Sequence, residues 1–106
     1  MKEGAKHDEG KTRLELLPPK ALDEIGKVLT FGAQKYEARN WEKGIKYGRV
    51  YGALLRHLFK FWRGIKYDEE TGIHHLAHAG CCLLFLLHYD LCPEYTEFDD
   101  RGTNDI

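Results

Sequence analysis

The sequence predicts an all-α fold, and three observations carry that prediction. Apolar residues recur at helical spacing in three separate stretches, set near 19–36, 47–64 and 72–91. Polar breaks separate these stretches: Pro18-Pro19 opens the first, residues 37–46 read as a loop, and a short polar turn stands between the second and the third. No run alternates polar and apolar residues over the length of a strand.

The first helix is predicted from Pro19, because proline suits a first helical turn and forbids an earlier start. Leu22, Ile25, Leu29 and Ala33 make its inward stripe, with Val28 at the margin. Gly26 and Gly32 each weaken it by about 1 kcal/mol, a cost that points to close packing or to the close approach of a ligand.

The second helix carries an apolar stripe of Tyr51, Leu54, Leu55, Leu58 and Trp62. Arg49, Arg56, Lys60 and Arg63 fall within about 60° of one another on a different face. Four crowded cations repel unless something negative sits among them; the plain alternative is a solvated surface. The third helix is predicted from Thr71 as cap, with Asp68, Glu69 and Glu70 near the positive end of its dipole. From Ala77 to Leu87 its side chains are small or apolar all round. A helix of that kind is buried on several sides, and 106 residues offer little to cover it. The expectation is a homo-oligomer, which would also help a domain of this size to stay folded.

A single domain, 1–106, fits the length. Residues 1–13 read as a polar arm that either starts the chain loosely or folds over a site, bringing Asp8 or Lys11. Residues 93–106 read as an acidic tail, frayed or draped over a neighbour. The formal net charge is −1, so a long nucleic acid is not the expected partner; local cations suit a small anion better. The apolar run at Leu83–Leu87 is too short to span a bilayer, and Met1–Lys11 has no signal-peptide pattern. Three cysteines, two adjacent, suit a reducing cytoplasm and buried packing better than a disulfide framework.

Several residues suit a nucleotide. Arg56, Lys60, Arg63, Lys35 and Lys11 are candidate phosphate ligands. Trp41 and Tyr36 are candidate base-stacking groups, Trp41 alternatively being a plug for the end of the core. His57, His75, His78 and Asn40 are candidate hydrogen-bonding groups. His75, His78 and Cys82, or His74 and His78, have spacing that can hold a transition metal, but no carboxylate accompanies them. The preferred reading is that they hydrogen-bond a phosphate or orient a carboxylate such as Asp68. Serine nucleophiles are excluded, since the chain has no serine, and no glycine-rich phosphate loop is present.

Six segments taken together resemble one family. They are Asp8-Glu9-Gly10-Lys11, Leu16-Leu17-Pro18-Pro19, Phe31-Gly32-Ala33-Gln34-Lys35-Tyr36, Asn40-Trp41, Leu55-Arg56-His57 and His75-Leu76-Ala77-His78-Ala79. The chain is similar over about residues 6–90 to the phage dATP/dGTP diphosphohydrolase N-terminal domain. In some phage proteins that domain precedes an all-α nucleotide pyrophosphohydrolase of the MazG type. The resemblance implies a phage protein concerned with purine nucleotides, working in the cytoplasm of an infected bacterium. MazG-type modules hold magnesium on paired acidic ExxE and ExxD helix motifs, and this chain is expected to lack both. The expected function is therefore binding of a purine-type nucleotide or nucleotide-derived signal in a cationic, aromatic-lined pocket, without cofactor, as a means of sequestering a host immune nucleotide. The alternative is a purine dNTP pyrophosphohydrolase, with Mg2+ held by Asp8, Asp68 and nearby acids. A structural or protein-binding module is the third reading.

Overall fold

The computed structural model describes residues 3–102, and the ends of the predicted arm and tail, 1–2 and 103–106, lie outside them. Three helices dominate: α1 (Pro19–Lys35), α2 (Tyr47–Trp62) and α3 (His75–Leu91), with short 3-10 turns at Leu14–Leu16, Asn40–Lys43 and Pro93–Phe98. Among the described residues there is no strand, only an isolated bridge between Tyr67 and His74.

Helices α2 and α3 run antiparallel, so that Tyr47 stacks on Tyr89 at one end of the pair and His57 meets His75 and His78 at the other. Helix α1 lies on α3. Its Ile25 packs over Gly80, where an added Cβ would come within 2.8 Å of the Ile25 Cδ1. Close helix approach is therefore made at Gly80. At Gly26 and Gly32 an added Cβ would meet nothing within 4 Å, which overturns the close-packing expectation for both.

The inward face of α2 is turned by roughly 80° from the predicted stripe. Tyr47, Val50 and Leu54 are buried, with His57 and Phe61 half-buried along the same line. Tyr51 and Leu58 are exposed, and Trp62 is 88% exposed. The apolar residues alone misplaced the face because a polar residue, His57, points inward.

Helix α3 starts at His75. Gly72 takes a φ of +72°, outside the helical region, and the His74 side chain, rather than Thr71, caps the helix by accepting from the Leu76 N–H at 3.0 Å. Helix α2 ends at Trp62 because Gly64, at φ +93°, turns the chain and lets the Ile65 N–H reach the Lys60 carbonyl.

The acidic tail packs onto its own chain over the described residues. Tyr95 is buried and its hydroxyl donates to the Glu42 carbonyl at 2.8 Å. Phe98 covers Gly44, where φ is +93° and a Cβ would overlap the ring. Asp100 accepts from the Gly48 N–H at 2.8 Å, so the tail supplies a cap for α2 that Lys46 lacks. On α3, Leu83, Leu84 and Leu87 are exposed, as is Leu91 at 70%. Among the described residues no helix is long and apolar enough to cross a membrane.

Candidate functional site

A cleft of about 870 Å³ opens between α1, the 36–45 loop, α2 and the start of α3. The size suits a small-molecule ligand. Its walls include Gly32 and Phe31 from α1, Trp41 and Ile45 from the loop, Arg56 and His57 from α2, and Cys81 and Phe85 from α3. Among the sequence-predicted residues, Lys35, Tyr36, Asn40, Trp41, Arg56, His57, Asp68 and His78 reach it. The rest do not line it. Lys60 is half-buried elsewhere on α2, and Arg63 lies beside Phe59 and Trp62 on the outer surface. Asp8 and Lys11 stay in an arm that is exposed along its described length.

The cleft does not gather the whole basic stripe. Its charged walls are Lys35, Arg39 and Arg56 against Glu37, Asp68 and Glu70. Lys35 pairs with Glu70 at 2.8 Å, Arg39 with Glu42 at 2.7 Å, and Glu37 with Lys43. Among the described residues Arg56 is in no ion pair; its Nη1 lies 3.2 Å from where a Gly52 Cβ would stand. Arg56 is thus the cation of the cleft left uncompensated. Trp41 is half-buried, with one face stacked on Phe85 at 5.6 Å between centroids and an edge contact to His88 at 5.0 Å. Tyr36 is exposed, with the Lys35 ammonium 5.5 Å from its ring centre.

The deepest polar feature is a histidine cluster. His57 and His78 stack face to face, 4.5 Å between centroids and 7° between planes. The His57 Nδ1 and His75 Nδ1 are 2.8 Å apart, and His75 is 1% exposed. Asp68 belongs to the turn between the helices. Its Oδ2 accepts from the Thr71 N–H at 3.0 Å and from the Thr71 hydroxyl at 3.1 Å. The Thr71 oxygen lies 2.8 Å from His78 Nε2 and also accepts from the Ile73 N–H. With the hydroxyl proton assigned to the charged acceptor Asp68, His78 donates from Nε2.

Burial, with the neighbouring imidazoles of His78 and His75, pushes the His57 pKa down to about 4. Burial lowers His78 as well, against the pull of Asp68. Burial alone would raise Asp68, but the two bonds from Thr71 and the nearby histidines hold its carboxyl below the usual range. His57 and His78 are therefore neutral imidazoles beside an ionised carboxylate at neutral pH. Cys81 is pushed up to about 12 by burial, so it packs as a thiol.

Asp68, the carboxylate already named beside the histidines from the sequence, arrives from the turn, its Oδ2 3.9 Å from His78 Nε2. His74 points instead to Phe61 and Tyr67. Thr71, predicted as a helix cap, joins His78 to Asp68. Its proximity to Asp68 is local, three residues apart in a tight turn, and that spacing was the one available signal. An acidic ExxE and ExxD spacing does occur, at Glu94, Glu97 and Asp100, but on the 3-10 turn and beyond it. There Asp100 caps α2.

The family model described as "dATP/dGTP diphosphohydrolase, N-terminal" matches residues 1–101. A Salmonella phage PMBT28 protein named dATP/dGTP diphosphohydrolase is 41% identical over 83 residues, which cover 78% of this chain and 28% of that relative. No solved structure matches the chain. With nearly its whole length matched, the chain belongs to the dATP/dGTP diphosphohydrolase N-terminal family.

Proposed function

We propose that this domain binds a purine nucleotide in the cleft, with Arg56 on the phosphates and Tyr36 or the free edge of Trp41 against the base. The observation that carries this reading is the position of Arg56, the uncompensated cation in a cleft whose other cations have acidic partners. A guanidinium can fork two phosphate oxygens. Asn40, His57 and His78 are placed to bond polar edges, and Lys35 can exchange Glu70 for a phosphate. We read the nucleotide as held rather than cut, since among the described residues the cleft gathers few carboxylates: Glu37 pairs with Lys43, and Asp68 lies 3.9 Å from His78 Nε2. In an infected bacterium such a protein sequesters a purine nucleotide or a nucleotide-derived immune signal in the cytoplasm. It does so as a homo-oligomer, supported by the exposed Leu83, Leu84, Leu87 and Leu91 of α3.

The second reading is hydrolysis of dATP or dGTP to a monophosphate and pyrophosphate. It is favoured by the name of the phage relative, of which this chain spans about a quarter.

The test is calorimetric titration with dATP and dGTP, followed by denaturation and analysis of the recovered nucleotide. Intact nucleotide supports binding; monophosphate and pyrophosphate support the second reading. Arg56→Ala should lose about 1.5–3 kcal/mol of affinity, roughly ten- to a hundred-fold, with helical content unchanged. Arg56→Lys should recover part of it. If Arg56→Ala binds like the parent, the phosphate site is elsewhere. Sedimentation at micromolar concentration should show no folded monomer.

A further inference from the structure

One donor atom from each of His57, Asp68 and His75 lies within 4.8 Å of the other two. The three come from α2, from the turn after it and from the first position of α3. His57 Nδ1 and His75 Nδ1 face each other at 2.8 Å. A neutral imidazole carries one N–H, so only one of these nitrogens can donate to the other. Whichever tautomer is chosen, His75 Nε2 stays buried without a partner among the described residues. A metal on the two Nδ1 atoms would leave His75 Nε2 as an N–H still without a partner. It is therefore the facing Nδ1 pair, which two neutral rings join by at most one hydrogen bond, that points to a ligand.

We infer that His57, His75 and Asp68 hold one divalent transition-metal ion of the zinc class in the wall of the cleft. In a tetrahedral zinc site two ligating atoms sit roughly 3.3 Å apart, so the Nδ1 pair must open by about half an ångström and the Asp68 oxygen, within 4.8 Å of both, must close by up to about 1.5 Å. Thr71 engages Asp68 through Oδ2, which orients the carboxylate while Oδ1 takes no hydrogen bond among the described residues. The His78 ring, stacked on His57, holds the plane of that imidazole.

Two imidazoles and one carboxylate suit zinc, cobalt, nickel or manganese. They do not suit magnesium, which asks for oxygen donors in near-octahedral array. The other cleft acids, Glu37 and Glu70, stand in ion pairs with Lys43 and Lys35. The magnesium expected of a pyrophosphohydrolase therefore does not fit this cluster. Three protein donors leave a coordination position open, and His57 and Asp68 both line the cleft. An oxygen of a bound anion can take that position; this last step rests on the nucleotide reading, whereas the metal site does not.

The experiment uses tag-free, chelator-stripped protein without nucleotide. Zn2+ is titrated by calorimetry and Co2+ by visible absorption. The expected result is one ion per chain, a tetrahedral Co2+ band, and no displacement by millimolar Mg2+. His57→Ala and Asp68→Asn should each weaken Zn2+ binding by about 100-fold or more with helical content retained. Arg56→Ala should bind Zn2+ like the parent, which separates this site from the phosphate contact. Absence of stoichiometric binding by the parent overturns the inference. So does binding undiminished in both His57→Ala and Asp68→Asn, and either result leaves the nucleotide titration to be judged by itself.

Discussion

The two ends of the α2–α3 pair both bury polar rings, and they treat them differently. At the aromatic end, Tyr47, Tyr89 and Tyr95 surround Val50, with Trp41, Phe85 and Phe98 packed outside. Two of these phenols end on backbone carbonyls: Tyr89 donates to Trp41 at 2.6 Å and Tyr95 to Glu42 at 2.8 Å. At the histidine end the rings face one another, and His75 Nε2 has no partner among the described residues. A satisfied buried polar group ties a loop to a helix and stabilises the fold. An unsatisfied one costs stability and is retained where something other than stability needs it. The aromatic end is thus the structural end, and the histidine end is where we propose that function lies.

The largest effect that bears on this contrast is expected from Tyr89→Ala. Tyr89 is 1% exposed and touches Tyr47, Phe85 and Tyr95. Its truncation should cost about 3–5 kcal/mol, read from urea unfolding. Tyr89→Phe, which removes only the hydroxyl, should cost about 1 kcal/mol. A mild loss in the alanine variant would dissolve the distinction between the two ends.

An intermediate effect is expected from alkali. Burial pushes the Tyr89 pKa up to about 12, above the ordinary value near 10. The folded state thus favours the neutral phenol. Its contribution is fully present below about pH 10 and is lost as pH rises toward about 12. Thermal midpoints measured from about pH 9 to about pH 11 should fall, and Tyr89→Phe should fall less steeply. Parallel curves for the two proteins would show that Tyr89 is not the group responsible.

The smallest effect on stability is expected from His57→Leu combined with His75→Leu in chelated protein. Replacing both partners of a poorly satisfied pair by apolar groups is near neutral or stabilising, within about 1 kcal/mol of the parent. Unfolding in urea measures it. If the double variant is as weak as Tyr89→Ala, the histidine end is structural too.

The three helices and their approximate limits were legible from local chemistry. Periodicity placed them, Pro18-Pro19 opened α1, and a polar loop and a polar turn separated the elements, all within reach of a few residues along the chain. The residues of the cleft were largely legible as types: Arg56, His57, Tyr36 and Trp41 were candidates by their chemistry before their positions were known. Their grouping was decided only by the fold. His57 and His75 are 18 positions apart, and Asp68 joins them because Gly64 and Gly72 reverse the chain between α2 and α3. The same packing turned His57 inward, left Lys60 and Arg63 outside the cleft, and drew Asp100 onto the start of α2 across 52 positions. Local propensity reads spacing along one helix; it carries no information on which face of another helix arrives opposite, because that depends on packing among distant residues.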